Sequence, residues 1–433
     1  MPTPPRLPPR PDFTQLKHQA KDLLRAHERK DASACEPLRK LRQFTSANNA
    51  TILSKPLALH EAQYALAISY GFASWNALKR YVEKVTGRPL PVHREKDRTY
   101  VAGLEAHNIG WKNYHENSFI ACITGVMTAL GEDFSYPYLM GVSGAAFRVQ
   151  MCYPNWCPSA ACAGVGYNCI PGAMAATGYR LTWIATQRDR KPLPEGITKA
   201  LAAITSSIDR GLPVILSGDE AGLIVGYHAD GRRIVRPYNH EKDGYADGDW
   251  GCDVAVVEPH DVPMDRRTAA TNSLRLAVTL AKTERFSNYL SGFAAFEHWI
   301  EALLDDSRFA ALTPENWFPT ALGNGYCYPC LWSARLNAEK YLRESADLFD
   351  EPIHARLLEL ATLYQQIHQT LNHTQPEFAC TYSLQPWRLK SPVNWTRTLR
   401  QKQSNLLREA YAIEQKAIAK IESLLTLIEG SAE

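Results

Sequence analysis

The texture of the hydrophobic pattern changes between Val85 and Tyr100, and one layer of secondary structure does not accommodate both sides of that change. Before it, apolar residues recur every three or four positions, as on the buried face of a helix. Phe13, Leu16, Ala20, Leu23 and Leu24 keep that spacing, with Lys17, His18, Lys21 and Arg25 on the opposite face. After it come short runs rich in Val, Ile and Tyr, broken by Gly, Pro and Asp, which read as strands and turns. At 433 residues the chain exceeds one ordinary core, for which roughly 100–200 residues is usual. The expected organisation is a helical module over 12–86, a linker over 87–99 bearing Pro89 and Pro91, an α+β domain over 100–262 and a helical region over 263–430 packed on it.

In the first module Asp12 reads as an N-cap. Glu36 to Phe44 reads as a short second helix, Leu57 to Tyr70 as a third ended by Gly71, and Trp75 to Val85 as a fourth capped by Ser74. His60-Glu61 falls inside the third helix and reads as part of its packing. The segments LKHQAKDLLRAH and LALHEAQYALAISYGFASWNALKRYV resemble the helical segment found ahead of ankyrin repeats in many bacterial proteins, which implies a fold and no chemistry. No period of about 33 residues follows, so an ankyrin array is not expected.

The charge and composition narrow the function classes. A net charge of +3 with no basic stripe argues against a nucleic-acid partner. No uninterrupted apolar run of about 18 residues argues for a membrane span, and the Pro-rich start lacks the apolar core of a signal peptide. The ten cysteines then read as reduced thiols, and the expected location is the cytoplasm.

Within the middle region a helix is expected from Ser118 to Leu130, ending at Gly131. LMGVSGAAFRV reads as a turn entering a strand, and Met151 to Pro171 as a Cys- and Pro-rich loop. An amphipathic helix over Ile197–Arg210 leads into strands at Pro213–Leu216, Gly222–Tyr227 and Arg232–Arg236. The segments HENSFIACITGVMTALGE, LMGVSGAAFR and GLPVILSGDEAGLIVGYHADG resemble papain-like cysteine peptidases of the bacteriocin-leader type, and more closely the N-terminal domain of the butirosin biosynthesis protein H group of acyltransferases. The resemblance covers roughly residues 100–260. It implies a helix-plus-antiparallel-sheet fold and a site with a cysteine starting the front helix, a histidine starting a strand and an acid orienting it.

All three roles are altered here. The helix-starting position reads Ser118, with Cys122 one turn later. The histidine position reads Glu220 or Ala221, the nearest histidine being His228, and the orienting position reads Arg236. The expected catalytic candidates are therefore Cys122, Ser118, Glu220 and His228. Either Ser118 or Cys122 serves as nucleophile, with a partly buried carboxylate or the imidazole as base. Asp219, Tyr227, Trp156, His115 and Arg236 are candidates for binding substrate, Trp156 as a flat wall in the Cys-rich loop. The expected function is acyl transfer, or amide or thioester hydrolysis, on a small molecule or peptide that is free or held on a carrier protein. The alternatives are a non-catalytic binding protein with a degenerate triad, and a metal-dependent enzyme using Cys152, Cys157, Cys162 and Cys169. No cofactor and no metal ligand is assigned. Cys327-Tyr-Pro-Cys330, preceded by Gly323-Asn324-Gly325, reads as a loop entering a helix over Ser333–Arg343.

Beyond Arg266 the chain reads as helices, with Leu274–Thr283 and Phe293–Leu304 amphipathic and Trp299, Trp317 and Trp332 in the core. The final helix, Thr396–Glu429, carries a near-heptad seam of Leu406, Ala410, Ile413, Ala417, Ile421, Leu424 and Ile428. That seam packs against its own chain or pairs with a second copy as a homodimer.

Overall fold

The structure is a computed structural model that describes residues 7, 13–45, 47–72, 74–75, 78–79, 82, 89–111, 114–189, 191–248, 253–371 and 384–430. The chain is α+β and forms two compact units, one of residues 1–90 with 127–133 and one of the remainder. Among the described residues no helix is long and apolar enough to cross a membrane.

The first unit is helical, with α1 (Phe13–Glu28), α2 (Cys35–Leu38), α3 (Asn49–Ser54) and α4 (Leu59–Ser69). Leu38, Phe44, Ile52 and Ala65 form one small core, and Leu16, Ala67, Leu78 and Val82 a second. Glu61 reaches back to the backbone N–H of Ala58 at 2.8 Å, so it caps the helix it begins. The expected second helix is split into α2 and a 3-10 turn at Arg42–Phe44. Asp12 and most of the expected fourth helix lie outside the described residues.

The second unit opens with strands β1 (Val92–Arg94) and β2 (Arg98–Val101), placed where the sequence suggests only a linker. Next come α5 (Ser118–Leu130) and α6 (Tyr136–Val142). Leu139–Val142 is thus helical rather than a turn, because Ser135 caps a new helix by accepting the N–H of Tyr138. Strand β3 (Gln150–Cys152) leads into the Cys-rich loop and α7 (Ile170–Thr177), then β4 (Tyr179–Ile184) and the short hairpin of β5 (Gln187–Arg188) and β6 (Lys191–Pro192). Helix α8 (Pro194–Asp209) feeds β7 (Val214–Leu216), β8 (Gly222–His228), β9 (Arg233–Arg236), β10 (Ala246–Gly248) and β11 (Val254–Pro259). The main sheet is antiparallel, with β8 at its centre bonded to β7, β2 and β9. From β8 the sheet extends through β7 to β11 and β4 on one side and through β9 to β10 on the other. Helix α5 lies close on this sheet: a Cβ on Gly125 would come within 2.6 Å of Leu223 in β8.

The C-terminal elements are α9 (Arg266–Lys282), strands β12 (Arg285–Phe286) and β13 (Tyr289–Ser291), α10 (Gly292–Leu304), α11 (Asp306–Ala310), α12 (Trp317–Ala346), α13 (Ile353–Leu371), α14 (Pro386–Leu389) and α15 (Arg397–Gly430). They belong to the same unit as the sheet, and β13 pairs with β3 beside the Cys-rich loop. Leu406, Ala410, Ala417, Ile421 and Leu424 of the final seam are buried within the chain, against α9, α10 and α13. Trp299, Trp317 and Trp332 are buried as well. Arg335 of α12 is fully buried and forms a two-pronged ion pair with Glu414 of α15, at 2.8 and 3.0 Å. The same guanidinium donates to the carbonyls of Ala146, Phe147 and Arg148, which fixes the segment leading into β3.

Candidate functional site

Helix α5 begins at the site. Asn117 caps it by accepting the N–H of Ile120 at 3.1 Å, and its own N–H is held by the Tyr136 hydroxyl at 3.0 Å. Ser118 is therefore the first helical residue, where the helix N-terminus presents a positive field. The loop Ser217–Ala221 between β7 and β8 brings Glu220 against it. The Ser118 hydroxyl donates to Glu220 Oε2 at 2.6 Å and accepts the backbone N–H of Ala221 at 3.0 Å. Burial pushes the Glu220 carboxyl up to about 7, helped by the nearby Asp219 and opposed by the Ser118 hydrogen bond.

The pair opens on a cavity of about 830 Å³. Besides the Ser217–Ala221 loop, the walls come from four places. The start of α5 supplies Glu116, Asn117 and Phe119. The Cys-rich loop supplies Cys157, Cys162 and Val165, strand β4 supplies Trp183, and α12 supplies Phe318, Leu322, Tyr326 and Cys330. Trp387 of α14 joins the rim. The Phe119 and Trp183 rings stack at 5.6 Å.

The loop is held in shape by polar side chains bonded to its backbone. Arg148 donates to the carbonyls of Ala161, Cys162 and Tyr167, and Gln150 to those of Ala160 and Val165. Cys169 is buried and Cys152 partly so, and burial raises both thiols above their ordinary value. Among the described residues no three His, Cys, Asp or Glu side chains are arranged to hold a metal ion.

Of the sequence-derived candidates, Ser118, Glu220 and Asp219 meet at the cavity. Cys122 does not reach it. It lies one turn further into α5, wholly buried, and burial together with Glu220 pushes its thiol well above the usual value, so it stays protonated and inert. Tyr227 and His228 end β8, a whole strand away from Glu220. Tyr227 donates to Asp209, and His228 bonds Asp247 at 2.9 Å, holding that carboxyl low. Arg236 is spent on the carbonyls of His107, Lys242 and Gly244. Trp156 is buried beneath Arg308 and beside Trp395 and is not among the described cavity walls. His115 stacks on Tyr136 at 4.0 Å, behind the Asn117 cap, and burial lowers it to about 4. It supports the site through Tyr136 and is not among the residues lining the cavity.

Cys327 and Cys330 lie inside α12, not in an entry loop. Burial pushes the Cys327 thiol to about 12 and raises Cys330 as well. The cavity's aromatic wall was not singled out from sequence, although it carries a signal. Phe318, Leu322, Tyr326 and Cys330 are spaced by four and so share one face of a helix. No family model matches the chain, and no curated protein matches it.

Proposed function

We propose that this protein transfers or hydrolyses an acyl group at Ser118, with Glu220 as the general base, in small-molecule or peptide metabolism. The observation that carries the reading is the 2.6 Å hydrogen bond from the Ser118 hydroxyl to a half-buried carboxylate whose pKa lies near neutrality, at the wall of a ligand-sized cavity. The resemblance of residues 100–260 to papain-like acyltransferases supports the same class, with the thiol and imidazole replaced by a hydroxyl and a carboxylate.

Ionised Glu220 accepts the hydroxyl proton as Ser118 Oγ bonds to the substrate carbonyl carbon. The oxyanion that results lies in the field of the α5 N-terminus, whose first N–H groups have no partner within the helix. The tetrahedral intermediate then collapses: the bond from carbon to the leaving nitrogen, oxygen or sulfur breaks, and protonated Glu220 returns its proton to that atom. Water or an acceptor amine then attacks the acyl carbon, giving its proton to Glu220; the bond from that carbon to Ser118 Oγ breaks, and Glu220 returns the proton to Oγ, which restores the free serine.

A fluorophosphonate probe tests this directly. Ser118 is the expected site of the adduct by peptide mass spectrometry, with no labelling of Ser118→Ala and labelling of Glu220→Gln slowed by ~10²- to 10⁴-fold. Native protein that takes no label at Ser118 overturns the reading.

A second reading rests on the Ala221 N–H, which occupies a lone pair of Ser118 Oγ. In it the pair is a fixed brace between α5 and β8, and the cavity binds a small molecule or peptide without turning it over. It predicts ligand binding that survives in full while Ser118 stays inert to the probe.

A further inference from the structure

The cavity walls divide by chemistry. One part is apolar and aromatic, and three of its rings are strongly exposed: Trp183 at 48%, Phe318 at 45% and Trp387 at 44%. Exposed aromatic surface on this scale around one opening marks a contact for a ligand. The other part is acidic, with Glu116 buried, Glu220 half-buried and Asp219 exposed. Among the described residues that line the cavity, none is lysine or arginine, although the chain carries 48 of them against 45 acidic residues. Arg148, close by, is turned away onto three backbone carbonyls. The acidic field is felt by the neighbours. Burial first, then Glu220, raises both the Cys162 thiol and the Tyr326 hydroxyl, with Asp219 adding to each.

We propose, on the acyl-transfer reading above, that the substrate is an amide or ester with an alkyl or aryl body and a positively charged amine, and that anionic compounds are rejected. The apolar body covers the exposed rings and removes their surface from water. The ammonium group meets Asp219 and the indole faces, which favour a cation. A carboxylate or phosphate would shed its hydration facing carboxylates, with no cationic side chain to replace the lost water.

Calorimetry on the full chain tests this with octylammonium, octanol and octanoate, each below its micelle concentration. The measurement is made on the native protein and on Ser118→Ala, so that it does not depend on turnover. Octylammonium is expected to bind at least about tenfold more tightly than octanoate, with octanol between. Asp219→Asn should cut that ratio at least about threefold and leave octanol unchanged, while Trp183→Ala weakens all three. Both positions are exposed, and circular dichroism checks that the variants are folded. Octanoate binding as tightly as octylammonium, or none of the three binding, overturns the proposal. The expected order of binding combined with an unreactive Ser118 would leave the ligand class standing and remove the acyl chemistry.

Discussion

Glu220 is a carboxylic acid held where ionisation is costly, and that has two consequences of opposite sign. Its pKa of about 7 means that the basic form fills in as pH rises through neutrality. Acylation of Ser118 is therefore expected to speed up across that range and level off at about pH 8, and in Glu220→Gln this rise should disappear from the pH–rate profile. Stability runs the other way. In the unfolded chain the group ionises near 4.5 and in the fold near 7, so the folded form holds the extra proton between those values. Its contribution is fully present below about pH 4.5 and is lost as pH rises towards 7, a change of roughly 3 kcal/mol. Thermal melts of the native protein and Glu220→Gln should differ little near pH 4, with the variant gaining on the native protein by pH 8. Ser118 and Glu220 were legible as separate candidates, placed by the family resemblance through their distances to Gly131 and to Gly226-Tyr227, while their pairing was not, since Cys122 and His228 stood as equal alternatives. His228 and Tyr227 misled because closeness in sequence along an extended strand is distance in space, at about 3.3 Å per residue.

The Gly323-Asn324-Gly325 triplet shows how an element can be hidden by its own composition. Glycines flanking an asparagine read as a turn, and Pro329 strengthens that impression, yet all four residues lie inside α12. The glycines serve packing. A Cβ on Gly323 would lie 2.8 Å from the backbone of Trp156 and Cys157, and one on Gly325 2.8 Å from the Cα of Gln385. Asn324 is buried and bonds Trp299 and Gln403. Tertiary proximity of this kind leaves no local periodic trace. Gly323→Ala is expected to destabilise the protein by ~1–3 kcal/mol in urea denaturation, although alanine is the better helix former, because the clash is with main chain that has no rotamer to yield. It should also weaken ligand binding in the cavity, since Cys157 is part of its wall.

At the scale of the molecule, the sheet and the C-terminal helices fall in one compact unit, with no break near residue 262. Strand β13 completes the small sheet with β3, and α12 supplies a wall of the cavity. Arg335 ties the segment 146–148 to α12 and, through Glu414, to α15. Removing one partner leaves a buried charge alone. Arg335→Ala is expected to cost about 3–5 kcal/mol by chemical denaturation, while the double replacement Arg335→Leu with Glu414→Leu should recover only part of that loss, since the carbonyls of Ala146, Phe147 and Arg148 still lose their donor. None of this long-range pairing was readable in one sequence, because residues 335 and 414 are joined by no pattern of spacing. The helices themselves were readable, since each keeps a strong apolar face of its own.

The close seat of Gly323 against the Trp156–Cys157 backbone also bears on how the cavity can diversify. Main chain meets main chain there, directly behind the Cys157 wall, so a larger side chain at position 323 would push on that wall. On the proposed function, changes in what the cavity accepts fall to its mouth, to Trp183, Phe318 and Trp387, whose rings are exposed.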